Sequence, residues 1–423
     1  MWIEQPETYD EPLPGGLRLR TPATTGDVER IAAFNAAIHG PELGPMTHNL
    51  LLRHPHMQPL DQVFVENEAG EVVSALCLIP WTWSCGGALL PIGEMGIVGT
   101  SEAYRRRGLV REQVRYFKRR LATRGCVLSC IQGIPYFYRQ FGYQYALPLE
   151  GGYRWEFRHI PPPEASQRRI RLATLDDVPA LMALYAEAAA DLTLHNARSE
   201  EVWRYLLACD DPNDAMYHDT WVVEDTDGRL TGYVRAPRYH FDDEYAIDEA
   251  SRLQIGPALE LMAHLKAIAQ ERQQPGIRLL LPANSDLVRI ALACGAYTYG
   301  TYAWQMHIPD TAALLAALAP LLERRLRTSP FAGWSGRFRI SFYESGVALY
   351  WEAGALRSVK PLPRPIGEAE VSIPFAAFPP LVLGDRSAED LRHTYPDLGA
   401  HGTWRLMLDV LFPKFATYIY TTY

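Results

Sequence analysis

A basic surplus, a long apolar run and paired cysteine spacings are all missing from this chain of 423 residues. Its net charge of −8 argues against nucleic-acid binding, which needs basic surface to displace counterions from phosphates. The same acidity suits a cationic substrate. The longest apolar stretch, Val72 to Trp83, is too short to span a bilayer, and Met1-Trp2-Ile3-Glu4 opens no basic-then-apolar signal peptide. No membrane contact and a cytoplasmic location are therefore expected. The six cysteines (Cys77, Cys85, Cys126, Cys130, Cys209, Cys294) have no Cys-x-x-Cys spacing and read as reduced, mostly buried thiols. Histidines are equally dispersed. The close pair His54-Pro55-His56 has no thiol or carboxylate neighbour and reads as a loop, so no metal is expected.

What is present is the composition of a globular protein, 48% hydrophobic and 21% charged, in a chain long enough for more than one core. Leu17 to Arg20, then Thr24-Thr25-Gly26-Asp27-Val28 and an Ala-rich segment, read as a strand entering a capped helix. The pattern recurs at Arg169 to Thr174, Leu175-Asp176-Asp177-Val178 and a second Ala-rich segment, which points to duplicated domains. The stiff polar stretch Pro161 to Ser166 lies between the copies. A third pattern begins after Trp304 to Ile308. A helix predicted over Thr311 to Arg327 precedes strict alternation at Phe338, Ile340 and Phe342, a turn at Glu344-Ser345-Gly346, and alternation again at Val347, Leu349 and Trp351, a hairpin signal.

Residues 94 to 110 carry the chemistry. An apolar strand with Met95, Ile97 and Val98 runs into the basic turn Arg105-Arg106-Arg107-Gly108, and Val110, Val114, Phe117 and Leu121 then mark one face of a helix that stops at Gly125. Amides without intrahelical partners and the positive end of the helix dipole make that start a place for a pyrophosphate. A second apolar strand, Cys126 to Ile131, follows, and then Tyr138-x-x-Phe141-Gly142-Tyr143.

The order Arg105-x-x-Gly108-x-Val110 resembles the coenzyme A signature of the Gcn5-related N-acetyltransferase (GNAT) superfamily, departing from it where Val110 replaces a small residue. Joined to Tyr138-x-x-Phe141-Gly142-Tyr143, it most closely resembles the enhanced intracellular survival (Eis) family. Leu381-Val382-Leu383-Gly384 and Leu411-Phe412-Pro413 resemble the sterol-carrier-like domain that closes that family. The resemblance implies an α/β (α+β) chain: a catalytic GNAT domain over 1–158, a degenerate second GNAT domain over 167–308, and a sterol-carrier-like domain over 309–423. In the second copy Arg252 to Pro257 replaces the arginine turn, and Pro257, read as the first position of a helix running to Arg272, removes an amide a phosphate would use.

The implied reaction is acetyl transfer from acetyl-CoA to an amine, either an aminoglycoside or polyamine or a protein lysine, and the implied assembly is a hexamer. Val98, Gly99 and Thr100 would pair with the pantetheine arm, and Arg105, Arg106, Arg107, Gly108, Leu109, Val110 and Arg111 would hold the phosphates. Tyr138 matches the family's general acid. The family's base is the terminal carboxylate, here that of Tyr423 on an aromatic, β-prone tail; Glu94 at the start of the motif strand is the rival. Trp81-Thr82-Trp83 either lines an acceptor pocket or packs in the sheet, and Asp27, Glu29 and His39 are further pocket candidates. A non-catalytic acyl-CoA or lipid sensor is the alternative to an enzyme.

Overall fold

The computed structural model describes residues 7–149, 152–163, 168–239, 243–300, 302–363 and 369–420. The first region contributes β1 (Asp10–Leu13), β2 (Leu17–Arg20), α1 (Thr25–His39), α2 (Leu43–Leu52), β3 (Gln62–Glu66), β4 (Val72–Cys85), β5 (Ala88–Thr100), α3 (Leu109–Thr123), β6 (Leu128–Ile131) and β7 (Gln144–Leu149). The second contributes β8 (Gly152–Trp155), β9 (Arg169–Leu172), α4 (Val178–Ala189), β10 (Leu194–Asn196), α5 (Glu200–Leu207), β11 (His218–Glu224), β12 (Leu230–Pro237), β13 (Tyr245–Ile247), β14 (Glu249–Ala250), α6 (Ile255–Glu271), β15 (Ile277–Leu279), α7 (Asp286–Ala293), β16 (Tyr297–Tyr299) and β17 (Tyr302–His307). The fold class is mixed α/β. Antiparallel pairs build most of each sheet, while the β5–β6 and β13–β15 neighbours, each joined through a helix, run parallel.

Local sequence explains the start of each copy. Thr24 caps α1 by accepting the Asp27 amide at 3.2 Å, and Asp27 returns the bond to the Thr24 amide at 3.1 Å. Thr174 and Asp177 form the same box before α4. Asp27 is further held by Arg20 and Arg30, and Glu29 by His48 at 3.0 Å, so both acidic candidates in α1 serve the scaffold.

The first two sheets exchange strands. The order β1-β2-β3-β4-β5-β6-β17-β7 seats β17, from the end of the second copy, antiparallel between β6 and β7, with Gln305 opposite Ile131 and Trp304 opposite Leu147. In return β8 joins β15 and β16, Arg154 lying opposite both Arg278 and Tyr297. β10 adds to the β4 edge, Asn196 opposite Trp83, and the tail runs beside β10, Tyr418 donating its amide to Leu194 at 3.0 Å. Trp81, Trp83 and Trp304 meet edge-to-face beneath this junction, Trp83 and Trp304 fully buried, so the Trp81-Thr82-Trp83 segment packs in the sheet.

The third region has α8 (Thr311–Ala317) and α9 (Ala319–Arg327) against a sheet of order β20-β19-β18-β21-β22, made of β18 (Gly336–Ser341), β19 (Gly346–Glu352), β20 (Ala355–Pro361), β21 (Val371–Ser372) and β22 (Gly399–Ala400). The hairpin lies as its alternation indicates, Ser341 opposite Gly346. The helix predicted over Thr311 to Arg327 is instead broken at Leu318, because Pro320 at the start of α9 has no amide to continue the ladder. No described helix is long and apolar enough to cross a membrane.

Candidate active site

β5 separates from both neighbours over the same few residues. Toward β4 the register runs Gly96 opposite Cys77 and then Gly99 opposite Ala75, so two residues of β5, Ile97 and Val98, face one of β4. Ile97 sits at φ +45°, a left-handed conformation that strains a β-branched residue by about 1–3 kcal/mol. Toward β6 the parallel pairing stops at Glu94 opposite Cys130. Beyond it the strands part. Ser101 donates its amide to Val73, which fixes the alternation: Ser101 and Gly99 turn to β4, and Val98 and Thr100 turn their backbone groups into the opening. Of the three residues expected to meet a pantetheine arm, Gly99 is thus the one turned away, its carbonyl accepting the Ser74 hydroxyl at 2.9 Å.

At the end of β5 the chain passes Arg106 (φ +62°) and Gly108 (φ +79°) into α3. Space beyond Gly108 is open, and Leu109 and Val110 start the helix with amides that no preceding turn uses. Arg105, Arg106, Arg107 and Arg111 are exposed and, among the described residues, join no ion pair; Arg107 stacks on Tyr104 at 4.8 Å. Val110 turns its side chain toward the core cluster of Leu109, Val114 and Phe117, so its bulk lies off the open side of the turn. The second copy differs where the sequence indicated. Arg252 is tied to Asp191 at 2.7 Å, and Pro257 stands at the third position of α6, which starts at Ile255 and ends at Glu271 instead of starting at the proline and running to Arg272; two residues before the proline already satisfy helical geometry.

A cavity of about 620 Å³ opens where β5 and β6 part. From the first copy come His39, Met46, Glu94, Ile97 and Tyr138; from the second, His218 and Asp248; from the tail, Tyr418, Ile419 and Tyr420. Glu94 is buried, 1% exposed. Tyr138 stands in a tight 3₁₀ turn (Phe137–Phe141) that Gly142 ends at φ +91°. Its ring fills the space a side chain at Gly133 would need, and burial pushes its phenol well above the usual tyrosine range. Tyr143 packs in the core with its hydroxyl 2.6 Å from that of Ser129, and Phe141 is buried beside it. Tyr423 lies outside the described residues. His54 belongs to a loop, its Nδ1 accepting the amides of His56 and Met57 at 3.2 and 3.1 Å. Among the described residues no three His, Cys, Asp or Glu side chains converge as metal ligands.

Sequence reasoning missed the contribution of the second copy. The run Tyr245 to Ser251 reads as one strand but is two, β13 and β14, broken at Asp248, the counterpart of the break at Ile97. Asp248 accepts from His218 Nε2 at 2.9 Å, while His218 Nδ1 lies 2.7 Å from the Met216 carbonyl. Both ring nitrogens of His218 are thus engaged, which fixes the imidazole against the Asp248 carboxylate. Burial alone would raise the Asp248 carboxyl, but His218 and Arg235 outweigh it and hold it low.

The comparisons agree with this geometry. A family model described as an acetyltransferase (GNAT) domain matches residues 22–146. No curated protein matches the chain. Among solved structures, a probable N-acyltransferase from Enterococcus faecalis superposes with a TM-score of 0.69 at 15% identity over 96% of this chain and 100% of its own. A GCN5-related N-acetyltransferase from Anabaena variabilis gives 0.67 at 15% over 95% and 99%. Eis1 from Mycobacterium abscessus gives 0.61 at 18% over 96% and 100%. At these identities the likeness is one of fold, and it extends over nearly the whole chain. The parted strand, the open helix start and the family match make residues 22–146 a GNAT acetyltransferase domain.

Proposed function

We propose that this protein moves an acetyl group from acetyl-CoA directly to an amine, with residues 1–158 catalytic, 167–308 a degenerate copy that walls the acceptor site, and 309–423 a sterol-carrier-like domain. The observation that carries the reading is the parting of β5 from β4 and β6 at one place, between an open helix start and a cavity bordered by Tyr138. The residues present suit the coenzyme. Backbone groups of Val98 and Thr100 would pair with the pantetheine as an added strand, and the α3 amides with Arg105, Arg106, Arg107 and Arg111 would hold the phosphates. The coenzyme supplies the activated thioester.

The acceptor is an amine because the cavity wall carries Glu94, Asp248 and several tyrosines and, among the described residues, no lysine or arginine. Aminoglycosides or polyamines fit this wall, and protein lysines are the second class. Tyr138, kept protonated by burial, gives its proton to the departing thiolate, whose own proton affinity rises in the same dry surroundings. The base is the carboxylate of Tyr423, as the resemblance implies, or Glu94, which lines the cavity.

Thiol release from acetyl-CoA with a panel of polyamines, aminoglycosides and lysine peptides tests the assignment. Turnover is expected on at least one class, whereas tight coenzyme binding without turnover on any would make the protein an acyl-CoA sensor. Deleting Tyr423 should cut turnover and spare coenzyme binding; a fully active truncation leaves Glu94 as the base. Replacing Arg105, Arg106 and Arg107 together by alanine should raise the KM for acetyl-CoA by roughly 10- to 100-fold, on the basis of about 0.5–1 kcal/mol per exposed phosphate contact. Unchanged kcat at saturation is the second half of that expectation, and an unchanged KM would remove the turn from the coenzyme site.

A further inference from the structure

Transfer from a thioester to an alkyl ammonium must shed two protons from nitrogen, and a low-affinity carboxylate is a poor outlet for the first. We propose that His39 carries that first proton from the bound ammonium to bulk water. The inference rests on the acetyl-transfer reading and names a residue that reading leaves unused.

The cavity wall sorts its titratable groups by availability. His218 has both ring nitrogens engaged, by Met216 and Asp248. Glu94 is buried on the strand. His39, at the last turn of α1, borders the cavity with a ring that has no hydrogen-bond or ion-pair partner among the described residues. It stands against the motif strand: a Cβ added at Gly99 would lie 3.0 Å from its Nε2. The missing side chain at Gly99 therefore makes the space in which an imidazole can border both the strand and the cavity. Its outer edge is exposed, which gives the proton a way out.

The titratable groups that line the same cavity are Glu94 from β5, Tyr138, Tyr302 from β17, His218, Tyr239 and Asp248, and Tyr418 and Tyr420 from the tail, and Glu42 lies in the turn just after α1. Glu42 is bonded by the Tyr239 phenol. Burial lowers the affinity of His39 for a proton, so the ring is neutral near pH 7 and has a lone pair to accept with.

The proton balance then closes. An N–H bond of the ammonium breaks and its proton goes to a His39 ring nitrogen, leaving a neutral amine; the imidazolium releases that proton to water. Nitrogen attacks the acyl carbon and passes its second proton to the carboxylate base. The C–S bond breaks, the thiolate takes the Tyr138 proton, and the protonated base restores the phenol.

Thiol release with acetyl-CoA and spermine, measured from pH 6 to pH 9.5 on the full chain, tests this. His39→Gln should lower kcat/KM near pH 7 by roughly 10- to 100-fold, the scale of one proton-transfer group. The deficit should shrink toward pH 9.5, where free amine is abundant, and added imidazole should restore part of the rate to His39→Ala. Acetyl-CoA binding should match the wild type. An unchanged rate at pH 7, or a loss equal at every pH and indifferent to imidazole, would overturn the role while leaving acetyl transfer standing. A wild-type protein inactive on every amine would sink the acetyl-transfer reading and this role with it.

Discussion

Tyr138→Phe should reduce kcat for acetyl transfer by about 10²- to 10³-fold, within the usual worth of a positioned general acid. The substitution removes one oxygen and keeps the ring that fills the space over Gly133, so fold and coenzyme affinity should be unchanged. The loss should persist across the alkaline range. Burial pushes the Tyr138 phenol upward, so the group that donates is still protonated where an ordinary tyrosine would begin to ionise. A wild-type enzyme whose activity falls between pH 9 and pH 10 through loss of this proton would contradict that. Thiol release under single-turnover conditions separates chemistry from product release; a variant with wild-type single-turnover rate would show that Tyr138 only packs.

The residues that carry local chemistry were legible in the sequence, and those that depend on chain crossing were not. Strand, arginine turn and helix follow one another at 94–121, so their signal is contiguous and periodic. The tight turn at Tyr138 announces itself through Gly142, which alone tolerates φ +91° without strain. Ile97 gives no such warning. A β-branched residue in an apolar run reads as ordinary strand, and its left-handed backbone is imposed by the pairing on either side. The same holds for Asp248, which shares its run with the polar Glu249 and Ser251 and so does not stand out in what reads as one strand. The exchange of β8 and β17 is invisible for a different reason. Trp304 and Met306 alternate inward whichever sheet receives them, and pattern specifies a buried face without naming the neighbour. His39, grouped with Asp27 and Glu29 by proximity in sequence, parts from them in space: helix α1 turns the two acids to arginine and histidine partners and leaves the imidazole at its end, over the cavity.

The second large effect lies in the second region, at the buried Glu249. Glu249, 1% exposed, receives a bidentate pair from Arg198 at 2.6 and 2.9 Å, the Tyr233 hydroxyl at 2.6 Å, and Arg235 at a looser 3.7 Å. Arg198 is packed between Tyr185 and Trp203, and none of the three Arg235 side-chain nitrogens finds a hydrogen-bond partner among the described residues. Glu249 thus makes the direct contacts with two buried guanidinium groups, which the neighbouring Asp248 carboxylate also attracts from further away. Glu249→Gln should destabilise the second copy by about 3–5 kcal/mol at pH 7, because it removes the only carboxylate in direct contact with both cations among the described residues and leaves them in a dry core. Replacing Arg198, Glu249 and Arg235 together by apolar residues of similar size should recover most of that loss, since the cost lies in stranding charges. Burial alone would raise the Glu249 carboxyl, but Arg198, Arg235 and the Tyr233 hydroxyl outweigh it and hold it below the ordinary carboxylate range. A lowered folded-state value stabilises above the unfolded value near ~4.3 and is lost as pH falls through the folded one. Wild type and Glu249→Gln should therefore differ most at neutral pH and converge below about pH 4. Urea unfolding followed by tryptophan fluorescence, with Trp203 inside the cluster, reads this directly, and coincident midpoints at pH 7 would show that the arginines find compensation elsewhere. Because β14 carries Glu249 immediately after Asp248, loosening this cluster should also disturb the cavity wall that His218 and Asp248 form.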